Sequence, residues 1–62
     1  MNKQIQNILK KYARNNGYGA VSFSNMSNGL WYGANGSGLP LIQYSEGNSF
    51  FYDYGRDKTI NL

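Results

Sequence analysis

The chain of 62 residues contains no cysteine and no histidine, and only three of its residues are acidic. The absence of cysteine excludes disulfide bonds, thiolate metal sites and cysteine nucleophiles. The absence of histidine removes the commonest general base and the commonest metal ligand. Stability must therefore come from burying apolar surface, and a single core in so short a chain rarely supplies more than about 3–5 kcal/mol.

The acidic residues are Glu46, Asp53 and Asp57, and their surroundings do not favour catalysis. Glu46 lies in a predicted turn, and Asp57 stands between Arg56 and Lys58. Asp53 lies on an aromatic strand, where a nearby backbone donor or cation commonly satisfies a carboxylate. Three oxygen ligands at this spacing match no calcium or magnesium site. We therefore predict a non-enzymatic protein without catalytic residues, metal ligands or cofactors.

The chain contains neither a long apolar run nor a segment that resembles a leader peptide. No stretch approaches the roughly 20 apolar residues that a membrane-spanning helix needs. Residues 1–15 also lack the continuous apolar centre of a secretory signal. These features predict a cytoplasmic protein that does not bind a membrane.

Residues 3–15 show the periodicity of an amphipathic helix. Asn2 precedes the periodic residues as a candidate N-cap, and Gly17 follows them with the freedom to adopt a left-handed backbone. The predicted core stripe has the spacing i, i+3, i+4 and i+7 and consists of Ile5, Ile8, Leu9 and Tyr12.

The segment between Arg14 and Glu46 contains no charged residue, and turn-forming Asn-Gly and Gly-Ser pairs divide its apolar runs. This pattern is typical of short antiparallel strands, which we predict at about 18–25, 30–34, 39–45 and 49–54. Residues 55–62 are predicted as a tail, with a short fifth strand as the alternative. The fold class is α+β: one N-terminal amphipathic helix packed on a three- to four-stranded antiparallel β-meander, in a single domain of residues 1–62.

The pair Asn28-Gly29 predicts a two-residue hairpin turn between the first two strands. Three pairs of opposing residues follow from a turn centred there: Ser27 with Leu30, Met26 with Trp31, and Phe23 with Ala34.

Six tyrosines, three phenylalanines and one tryptophan are more large rings than so small a core easily encloses. Rings left at the surface are favoured in binding patches, because one end of Tyr or Trp is apolar and the other polar. Consecutive rings at positions 50–52 point to both faces of one strand, and only one face can meet the helix. The candidate protein-binding residues are Trp31, Tyr32, Tyr44, Phe51 and Tyr52.

These features predict a small protein-binding module, and its size favours a homodimer. The concrete form is an inhibitor or regulator that occupies the surface of a larger protein, as phage and mobile-element anti-defence inhibitors do. The alternative is a nucleic-acid-binding protein, since the net charge is +3 and the pI about 9.4. Exposed tyrosines would then stack on bases, and helix cations would contact phosphates. Those cations are Lys3, Lys10, Lys11 and Arg14.

Overall fold

The computed structural model describes residues 1–62 and contains one helix followed by five strands. Their bounds are α1 Lys3–Asn15, β1 Ser22–Ser27, β2 Leu30–Ala34, β3 Pro40–Ser45, β4 Phe50–Asp53 and β5 Lys58–Asn61. The strands form one sheet in the order β1-β2-β3-β4-β5, and every neighbouring pair is antiparallel. The predicted α+β class with a meander is confirmed, but the sheet has five strands rather than three or four.

Two parts of the chain differ from the predicted strand bounds. The first strand begins at Ser22 rather than at residue 18, because Gly19 has a left-handed φ of 74° that interrupts the extended run. Residues 58–61, for which a tail was predicted and a short fifth strand was the alternative, form β5 and pair with β4. The single helix is not long and apolar enough to cross a membrane.

Local capping explains where α1 begins and ends. The Asn2 side-chain oxygen accepts hydrogen bonds from the backbone N–H groups of Gln4 at 2.6 Å and Ile5 at 3.3 Å. Beyond the last turn, Gly17 has a φ of 80°, and the backbone N–H of Tyr18 donates to the carbonyl of residue 13 at 2.9 Å. The left-handed glycine thus lets the chain turn back and satisfy a terminal carbonyl.

The buried side of α1 is rotated from the predicted stripe. Leu9 and Ala13 are fully buried, whereas Ile8 is 44% exposed. One residue corresponds to about 100° around a helix, so centring the contact on Leu9 and Ala13 turns Ile8 towards solvent. Ile8 is therefore a surface residue and not part of the core stripe.

The first hairpin turns at Asn28-Gly29, with left-handed φ angles of 46° and 82°. A bulge at Met26 then shifts the register of β1 by one residue. The observed pairs are Ser27 with Leu30, Asn25 with Trp31, Phe23 with Gly33, and Ser22 with Ala34. Only the first of the three predicted pairs is correct, because the extra residue in a bulge displaces every later pair.

The core lies between α1 and one face of the sheet. Its buried apolar side chains are Leu9, Ala13, Val21, Ile42, Tyr44 and Phe51. At the centre of β2, a Cβ on Gly33 would lie 2.6 Å from a ring carbon of Phe23. Glycine at this position thus lets the Phe23 ring from β1 lie across the neighbouring strand.

Candidate functional site

The sheet divides the five predicted protein-binding residues between its two faces, because successive side chains of a strand point in opposite directions. Trp31, Tyr44 and Phe51 lie on the side of α1, whereas Tyr32 and Tyr52 lie on the other side. Tyr44 and Phe51 are each only 1% exposed. Their assignment as contact residues is therefore corrected: both fill the core, where no partner can reach them while the chain is folded.

Trp31 is half-buried against the core and does not join Tyr32 and Tyr52. Its indole N–H donates to the carboxylate of Glu46 at 3.0 Å. The same carboxylate oxygen lies 2.8 Å from the amino group of Met1. Both the ring and the polar atom of Trp31 are thus engaged within the chain, on the helix side of the sheet.

A cluster of tyrosines occupies the face that α1 leaves uncovered. Tyr32, Gln43 and Tyr52 lie side by side on three adjacent strands. The ring of Tyr54 stacks on Tyr32 with centroids 6.3 Å apart and planes inclined by 16°. Tyr54 also meets the Tyr52 ring edge-on, with centroids 5.0 Å apart. Each tyrosine ring is therefore held by another ring of the cluster.

Hydrogen bonds fix the orientation of two of these rings. The Tyr54 hydroxyl donates to the side-chain oxygen of Gln43, and the Tyr52 hydroxyl donates to the carboxylate of Asp57. Partial burial and the neighbouring Tyr32 raise the pKa of Tyr54 above its ordinary value. The cluster thus presents rings whose orientations are set by contacts within the chain.

An apolar cleft of about 630 Å³ adjoins the cluster at Tyr32. Met26, which the bulge in β1 presents at the surface, lines the cleft and is 62% exposed. Phe50 and Tyr54, each 43% exposed, extend the same surface across β4. We call this surface the open face; it consists of Ser24, Met26, Tyr32, Gln43, Phe50, Tyr52 and Tyr54.

Phe50, Tyr54 and Met26 were absent from the predicted set. The alternation of a strand could have found the first two, because they stand two residues before and two residues after Tyr52. Met26 depends on the bulge, for which the sequence offers no local signal.

The only fully buried charged residue, Asp53, holds the helix to the end of the sheet. Its carboxylate accepts hydrogen bonds from the hydroxyl of Tyr12 and, at 2.6 Å, from the hydroxyl of Tyr18. The backbone N–H of Arg56 donates to the same carboxylate at 3.2 Å, and the Arg56 guanidinium nitrogen lies 3.8 Å away. We call these four residues the Asp53 clasp, and its many partners suit a structural role.

The surroundings of the clasp change the acidity of its members. Burial alone would raise the pKa of Asp53, but the hydrogen bonds from Tyr12, Tyr18 and the backbone outweigh it, and the pKa lies below the ordinary value of 3.8. Burial, together with the hydrogen bond to the Asp53 carboxylate, raises the pKa of Tyr12 from 10.0 to about 12. The ionised carboxylate and the neutral tyrosine therefore stabilise the folded state.

The raised pKa of Tyr12 predicts a loss of stability in alkaline solution. The unfolded chain releases this proton near pH 10 and the folded chain only near pH 12, so the contribution is complete below pH 10 and lost as the pH rises to 12. Tyr12→Phe should lower stability at neutral pH by about 1.5–3 kcal/mol, the range for a hydrogen bond to a charged group. It should also reduce the alkaline loss.

Urea denaturation at a series of pH values would measure both effects. Tyr32→Phe is the matched control, because it removes a hydroxyl from the open face and leaves the clasp intact. An alkaline loss that is equally steep in Tyr12→Phe and the parent would contradict the assignment to Tyr12.

The four predicted phosphate-contacting cations are all exposed on α1 and form no salt bridge. Lys10, Lys11 and Arg14 line a cleft of about 330 Å³ between the helix and the segment that leads to β1. Lys3 does not line this cleft. The helix that carries these cations and the open face lie on opposite sides of the sheet.

Comparisons with protein-family models, with curated proteins and with solved structures found no match to this chain.

Proposed function

We propose that the chain is a non-enzymatic, cytoplasmic protein-binding module that binds another protein through the open face. The observation that carries this proposal is a cluster of three tyrosines, packed against one another, on a sheet face that no other part of the chain covers. An inhibitor or regulator that occupies the surface of a larger protein, of the phage or mobile-element anti-defence type, is the role this surface suits.

The composition of the open face supports protein binding. The centres of protein interfaces are depleted in charged residues and enriched in Tyr, Phe and Met. The open face has the same composition. Tyrosine offers a large contact area with few rotatable bonds. Since Tyr32, Tyr52 and Tyr54 already hold one another, binding would cost little further side-chain ordering.

The cleft beside Tyr32 supplies the concave part of the surface. Binding energy concentrates where an aromatic or aliphatic anchor fills a desolvated pocket. An apolar side chain of the partner can enter between Met26 and Pro40, and the flexible Met26 side chain can adjust to its shape.

The nucleic-acid alternative requires the exposed tyrosines and the helix cations to act on one strand. The tyrosines of the open face and the cations of α1 lie on opposite sides of the sheet, so one binding track cannot use both. This separation favours protein binding for the open face.

A matched pair of charge insertions tests the proposal. Phe50 and Ile8 are equally exposed apolar residues, at 43% and 44%, but Phe50 belongs to the open face and Ile8 to the helix. Phe50→Lys should weaken partner binding by about 2 kcal/mol or more, the scale of an interface hot spot. Ile8→Lys should leave binding unchanged, although it adds the same charge.

The partner would be captured from the cells that carry this sequence and purified, and the affinities of the parent and both variants measured by calorimetry. Binding lost with Ile8→Lys and kept with Phe50→Lys would place the site on the helix and reject the proposal. Light scattering on the free chain, at low and high salt, tests the predicted homodimer. A dimer that Phe50→Lys dissociates would make a second copy the occupant of the open face.

A further inference from the structure

The cleft beside α1 is lined by cationic side chains, whereas the open face carries no charged residue. We propose that this cleft is a binding site for a phosphate group. Its lining consists of Asn7, Lys10, Lys11, Arg14, Ala20 and Val21. The inference is independent of the proposed function, because the cleft and the open face share no residue.

The lining residues of α1 form one continuous stripe. Asn7, Lys10, Lys11 and Arg14 follow the spacing i, i+3, i+4 and i+7, which places them along a single side of the helix. The segment that enters β1 forms the other wall, so the cations border a concavity rather than a convex helix surface. A volume of about 330 Å³ lies at the lower end of the range for small-ligand cavities, about 300–1,000 Å³.

The cations of the cleft have no counter-ion within the chain. Glu46 is engaged by Trp31, and the other two carboxylates are engaged in the Asp53 clasp and by Tyr52. Neither of the two salt bridges involves a residue of the cleft. Lys10 and Arg14, four residues apart on one helix, repel each other. A bound anion would relieve this repulsion.

The second wall of the cleft contributes backbone groups of the segment that enters β1. The backbone N–H groups of Ala20 and Val21 donate no hydrogen bond to any atom of the protein. The helix macrodipole favours cations near a helix C-terminus, but it explains neither these free N–H groups nor the concave shape. The oxygens of a phosphate accept hydrogen bonds from free backbone N–H groups as well as from ammonium and guanidinium groups.

The side chains suit phosphate in particular. The guanidinium of Arg14 can donate two parallel hydrogen bonds to two phosphate oxygens. Lys10 and Lys11 act as mobile point charges, and the amide of Asn7 can reach a further oxygen. The phosphate can belong to a free phosphomonoester or to the phosphodiester backbone of a nucleic acid.

Two charge-matched double variants test the site. Lys10→Gln with Arg14→Gln removes two cations of the cleft, and Lys3→Gln with Lys58→Gln removes two exposed cations outside it. Both pairs lower the net charge from +3 to +1. All four side chains are exposed, so both proteins should keep their fold, which circular dichroism would verify.

The binding experiment is an NMR titration of the full chain at constant ionic strength. The probes are inorganic phosphate, adenosine 5′-monophosphate, and an oligothymidylate without terminal phosphates; chloride is the reference anion. We expect saturable shifts at the amides of Ala20 and Val21. Affinity should fall at least about tenfold, or about 1.4 kcal/mol, in Lys10→Gln with Arg14→Gln and stay near the parent value in the control pair.

The same experiment distinguishes the two sources of phosphate, a phosphomonoester and a phosphodiester backbone. Tighter binding of adenosine monophosphate than of the oligonucleotide supports the site and assigns it to phosphomonoesters. Tighter binding of the oligonucleotide, with the same dependence on Lys10 and Arg14, supports the site and assigns it to a phosphodiester backbone. Equal losses in the two double variants, or no saturable shift with any probe, would overturn the proposal.

Discussion

Replacing Asp53 with alanine is expected to leave most of the chain unfolded. The hydroxyls of Tyr12 and Tyr18 and the backbone N–H of Arg56 would all lose their acceptor. A buried donor without a partner costs about 1–3 kcal/mol, so the loss of one acceptor shared by three part-buried donors costs about 3 kcal/mol or more. A chain of this size has about 3–5 kcal/mol in total.

Two amide substitutions provide controls for Asp53→Ala. Asp53→Asn keeps the size of the side chain and one acceptor oxygen, so its loss of stability should be intermediate. Asp57→Asn removes the same charge from an exposed turn where φ is 52°, a conformation that asparagine tolerates. It should cost no more than about 1 kcal/mol. Urea denaturation followed by circular dichroism and Trp31 fluorescence would rank the three. If the Asp53→Ala variant were as stable as the Asp57→Asn variant, the Asp53 clasp would not be needed for the stability of the fold.

Phe51→Ala is expected to unfold the chain, whereas Phe50→Ala should leave it folded. Phe51 is 1% exposed and packs its ring edge-on against Tyr12 with centroids 5.0 Å apart. Removing a buried phenylalanine ring typically costs about 3–5 kcal/mol, which matches the whole stability available here. Phe50 is 43% exposed on the open face, and its removal should cost about 1 kcal/mol or less.

The two phenylalanines are adjacent in sequence, so each serves as the control for the other. Equal losses in thermal or urea denaturation would mean that both rings are buried and that the open face is covered. The reverse ranking would mean that β4 is shifted by one residue, since such a shift exchanges the two faces of a strand. Either outcome would also remove the basis for the proposed protein-binding site.

Local sequence patterns were sufficient to predict the structural elements that are determined by neighbouring residues. Asn2 and Gly17 mark the ends of α1, and Asn28-Gly29 marks the first hairpin. The bulge at Met26 could not be predicted in this way. It inserts a residue without a glycine or proline that would signal it, and the pairing beyond it is displaced.

Only part of the candidate site could be predicted, because its residues are far apart in the sequence and meet only in the folded chain. Tyr32 and Tyr52 were identified as rings, but their common face depends on the register that places both beside Gln43. The clasp joins Asp53 to Tyr12 and Tyr18, residues 41 and 35 positions away. No periodicity encodes such contacts, because they arise only when the helix docks on the sheet.

The unpaired charges of α1 and the neutral open face lie on opposite sides of a body about 21 Å across its shorter dimensions. Because α1 carries four of the six basic residues and the open face carries none, positive charge is concentrated on the helix side of the sheet. A polyanionic surface would turn the approaching molecule helix-first, an effect that weakens as salt screens the field. The tyrosines would then face outward, so a single copy could bridge an anionic surface and a protein without a linker between two domains.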